Sequence, residues 1–170
     1  MFKLTNNLID ELDECVTDFL NTLGYGELTA CLEDEFAYYA DTEEITYTLF
    51  DMAYFDLGFQ KYIQTNYPNC PTISVFTLSI LHELGHHITK DSLMPEPWLE
   101  AAIEKKSFGK IKCNTMEEAI AMQVKYCGLY DERIATNKAI EVLTDNYQTC
   151  LDFELHFKNI LVHAAAPKRK

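Results

Sequence analysis

Apolar positions recur at helical spacing along most of the chain. Leu4, Leu8, Ile9, Leu12, Cys15, Val16, Phe19, Leu20 and Leu23 fall on one face of a helix over residues 4–23 whose other face is acidic. Gly24 and Gly26 end it. The pattern then changes. Phe36-Ala-Tyr-Tyr-Ala40, a polar Asp41-Thr-Glu-Glu44 and Ile45-Thr-Tyr-Thr-Leu49 alternate and are rich in aromatic and β-branched residues, which predicts a β-hairpin. Such a hairpin can offer an edge strand to an extended peptide, or simply cover a core. Helical spacing returns over residues 51–66 through Met52, Phe55, Leu57, Phe59, Tyr62 and Ile63, weakened by Gly58, and Asn66-Tyr-Pro-Asn-Cys-Pro71 breaks it.

From Ser74, a residue able to cap a helix start, Phe76, Ile80, Leu81, Leu84 and Ile88 make another apolar stripe that ends near Lys90-Asp91. Leu93 to Pro97 is a loop, and Pro97 suits the first turn of a short helix to about Lys106, with Trp98 as a packing residue. After a polar stretch, Thr115-Met-Glu-Glu118 reads as a capping box for a helix through Tyr126. Asp131 would cap a helix from Glu132 to about Leu143, and Asp145-Asn-Tyr-Gln148 would start a last one reaching Val162. These elements predict an α+β, mostly helical fold in one domain over residues 1–163, followed by a short basic, disordered tail over 164–170.

A length of 170 residues is enough to bury a real core, and 48% hydrophobic with 24% charged residues is ordinary for a globular protein. The net charge of −13 argues against direct binding to nucleic acid, whose phosphates need Lys and Arg. It fits a solubilising surface, or a surface that binds a basic partner such as a DNA-binding protein. Met1-Phe-Lys is followed by a polar, acidic segment, not the apolar core of a leader, and no apolar run approaches the length of a membrane span. A cytoplasmic location is expected. Cys15, Cys31, Cys70, Cys113, Cys127 and Cys150 form no C-x-x-C pair, so reduced thiols in the core are expected before a disulfide framework.

The candidate chemistry lies in the 74–89 stripe. His82-Glu83-Leu84-Gly85-His86 is the HExxH pattern of zinc peptidases. Residues four apart share a helix face, so His82 and His86 can both turn an imidazole to one metal ion. Glu83 lies about 100° round the helix. It is placed to work on a water molecule as general base, not to ligate. A catalytic zinc commonly takes a third protein ligand. His87 follows His86 and points off that face, while His156 and His163 read as surface residues of the last helix. A carboxylate is therefore expected. Glu132 is the best candidate, because Ala135, Thr136 and Ala139 put a small-residue face below it and let two helices approach; Asp131, Glu100 and Glu118 are the rivals.

These two stretches, His82–His86 and Glu132-Arg-Ile-Ala-Thr-Asn-Lys-Ala139, resemble the small gluzincin metallopeptidases, in particular the ImmA/IrrE-like and phage-encoded versions with their E-x-x-A-[NT]-x-x-A helix. The order of helix, hairpin, HExxH helix and glutamate helix is similar too, over roughly residues 30–145. The resemblance implies a minigluzincin domain in which a hairpin or small sheet packs on the HExxH helix. It implies Zn2+ held by His82, His86 and Glu132, Glu83 as the catalytic base, and a protein or peptide substrate. Tyr126, Tyr130 and Tyr147 are candidates for stabilising an oxyanion. The rivals are an acidic, non-catalytic host-interaction protein with a structural zinc, and a helical domain with no metal.

Overall fold

The computed structural model describes residues 4–49 and 53–165. Among them are seven α-helices and one three-stranded sheet, so the protein is α+β and mostly helical. The chain falls into two compact units, one within Met1–Leu49 and Asp145–Lys170, the other within Phe50–Thr144. No helix among the described residues is long and apolar enough to cross a membrane.

The first unit contains α1 (Asn6–Thr22), β1 (Thr29–Leu32), β2 (Ala37–Tyr39), β3 (Glu44–Tyr47) and α7 (Tyr147–Ala165). Its core is built from the apolar face of α1: Leu12, Val16 and Leu20 are fully enclosed, and Phe19 stacks on Phe153 of α7 at 4.1 Å. The expected hairpin is present, with Tyr38 opposite Ile45 and a positive φ of 52° at Glu43 in its turn. A further strand, β1, runs parallel to β3. The short Thr29-Ala-Cys-Leu32 carries no clear alternation and is held by its neighbours. Its free edge is closed by α1, because Ala30 N–H donates to Thr17 Oγ1 at 3.0 Å and Leu32 N–H to Asp13 Oδ1 at 2.8 Å. Helix α7 begins at Tyr147 and runs to Ala165, so Ala164 and Ala165 are helical and not part of a tail; the rest of that stretch lies outside the described residues.

The second unit is helical: α2 (Ala53–Asn66), α3 (Val75–Thr89) with a 3-10 turn at Lys90–Ser92, α4 (Pro95–Phe108), α5 (Met116–Cys127) and α6 (Tyr130–Asp145). Met52, expected in α2, lies outside the described residues. Gly58 marks a close approach, since a Cβ there would meet Gln123 Cβ of α5 at 2.5 Å. Helix α3 starts as expected, with Ser74 Oγ accepting from Thr77 N–H at 3.1 Å. It is not a stripe with a wet back, however: every residue from Thr77 to Gly85 is buried, while Phe76 and Ile88 are only half-buried. Helix α5 is capped by Thr115, which accepts from Glu118 N–H at 3.2 Å. The Glu118 carboxylate reaches back to Asn114 N–H at 2.7 Å.

Three expectations are corrected here. Helix α4 is longer than residues 97–106 and carries Trp98 46% exposed, not packed. Asp131 lies inside the first turn of α6 and does not cap it. All six cysteines are free, but Cys31, Cys70 and Cys113 are only half-buried, so the core holds Cys15, Cys127 and Cys150.

Candidate metal centre

Two helices of the second unit build the site. On α3, the spacing of His82 and His86 brings their rings together with centroids 4.8 Å apart. On α6, Glu132 stands in the first turn, and its Oε2 lies 2.9 Å from His82 Nε2 and 3.6 Å from His86 Nε2. The three ligand atoms all lie within 4.8 Å of one another, a group that could hold a metal ion. Residues 50 positions apart meet because Gly85 has no side chain. A Cβ at 85 would overlap the carbonyl of Ala135 and stand 3.0 Å from its Cα. The small-residue face of α6 is what rests there: Ala135, Thr136 and Ala139 are all fully buried.

Hydrogen bonding fixes the His82 ring. Thr136 Oγ1 donates back to the Glu132 carbonyl at 2.8 Å, which leaves its lone pair to accept from His82 Nδ1–H at 3.1 Å. Nε2 is then the nitrogen left to take a proton or a cation where it faces a carboxylate oxygen. Two lone pairs at 2.9 Å repel, so the contact needs a cation or a proton between them. Phe59 of α2 closes the other side of the ring, edge-on at 5.5 Å.

The electrostatics point the same way. Glu83, Asp131 and Glu132 are buried, and one half-buried ammonium, Lys105 from α4, bonds both Glu132 Oε1 and Asp131 Oδ2. Three carboxylates against one ammonium leave a formal excess that a divalent cation would neutralise. Burial drives the Glu83 carboxyl up, against the pull of the His82 and His86 charges. Burial likewise lifts Glu132, but its bonds to His82 and His86 outweigh that and hold it well below the usual carboxylate range. Burial lowers His86, yet Glu132 and Glu83 together raise it. The donor set and the charge excess both fit a divalent metal. The cluster opens toward solvent at His86, whose side chain is 20% exposed against 9% for His82 and 7% for Glu132.

Of the rival carboxylates, Glu100 and Glu118 are exposed and Asp131 turns to Lys105, with its Oδ1 buried and unpartnered. Among the histidines off the motif, His87 is buried outside the cluster, and His156 and His163 are exposed on α7. Tyr130 Oη accepts from Met94 N–H at 3.1 Å at the start of α4. Tyr147 belongs to the first unit. Tyr126 is the tyrosine with site neighbours: burial, then the charge of Glu132, raise its hydroxyl, and Lys105 lies 5.3 Å from its ring centroid. Lys105 itself was not anticipated. The signal was Ala101, the buried residue of α4 one turn earlier on the same face. Compared with known proteins, the chain matches no family model, no curated protein and no solved structure.

Proposed function

We propose that this protein is a zinc-dependent metallopeptidase of the minigluzincin kind, hydrolysing peptide bonds in a protein substrate. The observation that carries this is the buried Glu83 carboxylate beside a His82–His86–Glu132 group assembled from two helices. A histidine pair with one carboxylate is the ligand set of several catalytic zinc sites. Bound zinc would supply Lewis acidity toward the scissile carbonyl and toward water. The chain's own residues do the rest. Glu83, with its carboxyl raised by burial, takes a proton from the attacking water and passes it to the leaving amine. Thr136 holds the His82 ring in one tautomer, and the opening beside His86 admits the substrate. The experiment is cleavage of a mixed peptide library by zinc-loaded protein, read by mass spectrometry, with Glu83→Gln alongside. Zinc retained and cleavage lost in the variant is the expected result; equal cleavage by both proteins ends the role of Glu83.

The net charge of −13 favours one other reading, an acidic binding protein with a structural zinc. Salt-sensitive capture of a basic protein, unaffected by Glu83→Gln and without cleavage, would select it.

A further inference from the structure

The two carboxylate oxygens of Glu132 have different partners. Oε2 faces His82 and His86, at 2.9 and 3.6 Å. Oε1 accepts from Lys105 Nζ. That ammonium is itself held in place. It donates to Asp131 Oδ2 at 2.5 Å and lies 5.3 Å from the Tyr126 ring centroid. Tyr126 in turn packs edge-on against Phe108 at 5.8 Å, on the same helix as Lys105. Helix α4 thus delivers a cation, fixed by two carboxylates and a ring face, to the one ligand oxygen that points away from the histidines.

We infer that Lys105 is a positioning residue that makes Glu132 a one-oxygen metal ligand, and so keeps a coordination position open for water and substrate. This rests on the metal-centre reading above. A free carboxylate can take a cation through one oxygen or both, and its second oxygen would fill a place that a catalytic site leaves open. A charge-assisted bond is about twice as strong as a neutral one, so turning Oε1 toward the metal means breaking it. Lys105 does not compete for Oε2, the oxygen aimed at the histidines. The cost of placing an ammonium near a second cation is offset by Asp131, a buried carboxylate that otherwise has no partner to explain its place here.

The test compares wild type, Lys105→Arg and Lys105→Met, each loaded with zinc and separately with cobalt(II). In the wild-type zinc protein, X-ray absorption is expected to find a single carboxylate oxygen at about 2.0–2.2 Å. Lys105→Met is expected to bind zinc no more weakly than wild type, because a repelling ammonium is removed and a second oxygen is freed. Its cobalt form should lose visible-band intensity as the second oxygen joins the metal, and Lys105→Arg should restore the wild-type spectrum. A carboxylate bound through both oxygens in wild type overturns the inference, whether or not the Met variant folds. An unchanged cobalt spectrum in a folded Lys105→Met overturns it too. Absence of zinc binding in every protein, wild type included, would instead remove the metal centre itself and the inference with it.

Discussion

Gly85 of α3 lies directly against the backbone of Ala135 in α6, with no room for a methyl group between them. This contact sets how near Glu132 comes to His82. The glycine between the two histidines is therefore part of the candidate metal site, although it carries no ligand atom. Gly85→Ala is expected to push the helices apart, at a cost of about 1–3 kcal/mol. Zinc affinity should fall with stability, read by chelator competition and thermal melting. Gly109, where a Cβ would meet open space at the end of α4, serves as the control, and its alanine variant should bind zinc normally.

Helix propensity and periodicity made the two helices of the candidate site legible, because His82, His86 and the small-residue face at Ala135, Thr136 and Ala139 are local patterns. The reach of Glu132 was legible for the same reason. What stayed hidden depends on long-range partners. The parallel pairing of β1 with β3 is set by tertiary contact, and four residues carry too little alternation to announce it. Gly58 looked like a flaw in α2 and turned out to admit α5. The role of Lys105 was hidden, because its partners are two carboxylates 26 and 27 residues later.

Thr136 gives a prediction confined to one hydroxyl. Thr136→Val keeps the shape of the side chain and removes the acceptor of His82 Nδ1–H. The ring then loses the bond that selects its tautomer. Zinc affinity is expected to drop about 10- to 100-fold. The protein should remain folded, with a stability loss of about 1 kcal/mol by denaturant titration. Unaltered zinc affinity in Thr136→Val would mean that the His82 orientation is fixed by packing against Phe59 alone.

Asp13 supports a prediction for the first unit. Its Oδ1 accepts from Leu32 N–H at 2.8 Å and from Tyr47 Oη at 2.7 Å, joining α1 to the sheet. Burial raises its carboxyl above the ordinary 3.8, opposed by those two bonds and aided by Asp10. A carboxyl raised in the folded state binds its proton more tightly there than in the unfolded chain. Stability from this group is therefore greatest in acid and declines as pH climbs from 3.8 through the raised folded value. Asp13→Asn retains the accepting oxygen without the charge, and should flatten that slope and gain on wild type as pH approaches 7. Asp13→Ala strands both donors and should cost about 1–3 kcal/mol. Melting temperatures across pH 3 to 8 on the three proteins decide it, and parallel curves for wild type and Asp13→Asn would remove Asp13 as the titrating group.

Metal binding should be visible as stability before any substrate is known. The ligands come from α3 and α6 and meet only in the folded chain, so a cation that binds them binds the native state and hardly the unfolded one. It also neutralises the carboxylate excess left by Glu83, Asp131 and Glu132 against Lys105. Zinc at a hundred times its dissociation constant should add about 2.7 kcal/mol. The melting temperature should rise with zinc and fall with chelator, and amide exchange should slow in Val75–Thr89 and Tyr130–Asp145. His86→Ala and Glu132→Ala should lose the shift. Glu83→Gln should keep it, because Glu83 is outside the His82–His86–Glu132 group. A zinc-dependent shift of equal size in His86→Ala would place the ion elsewhere in the protein, and the HExxH helix would then be structural.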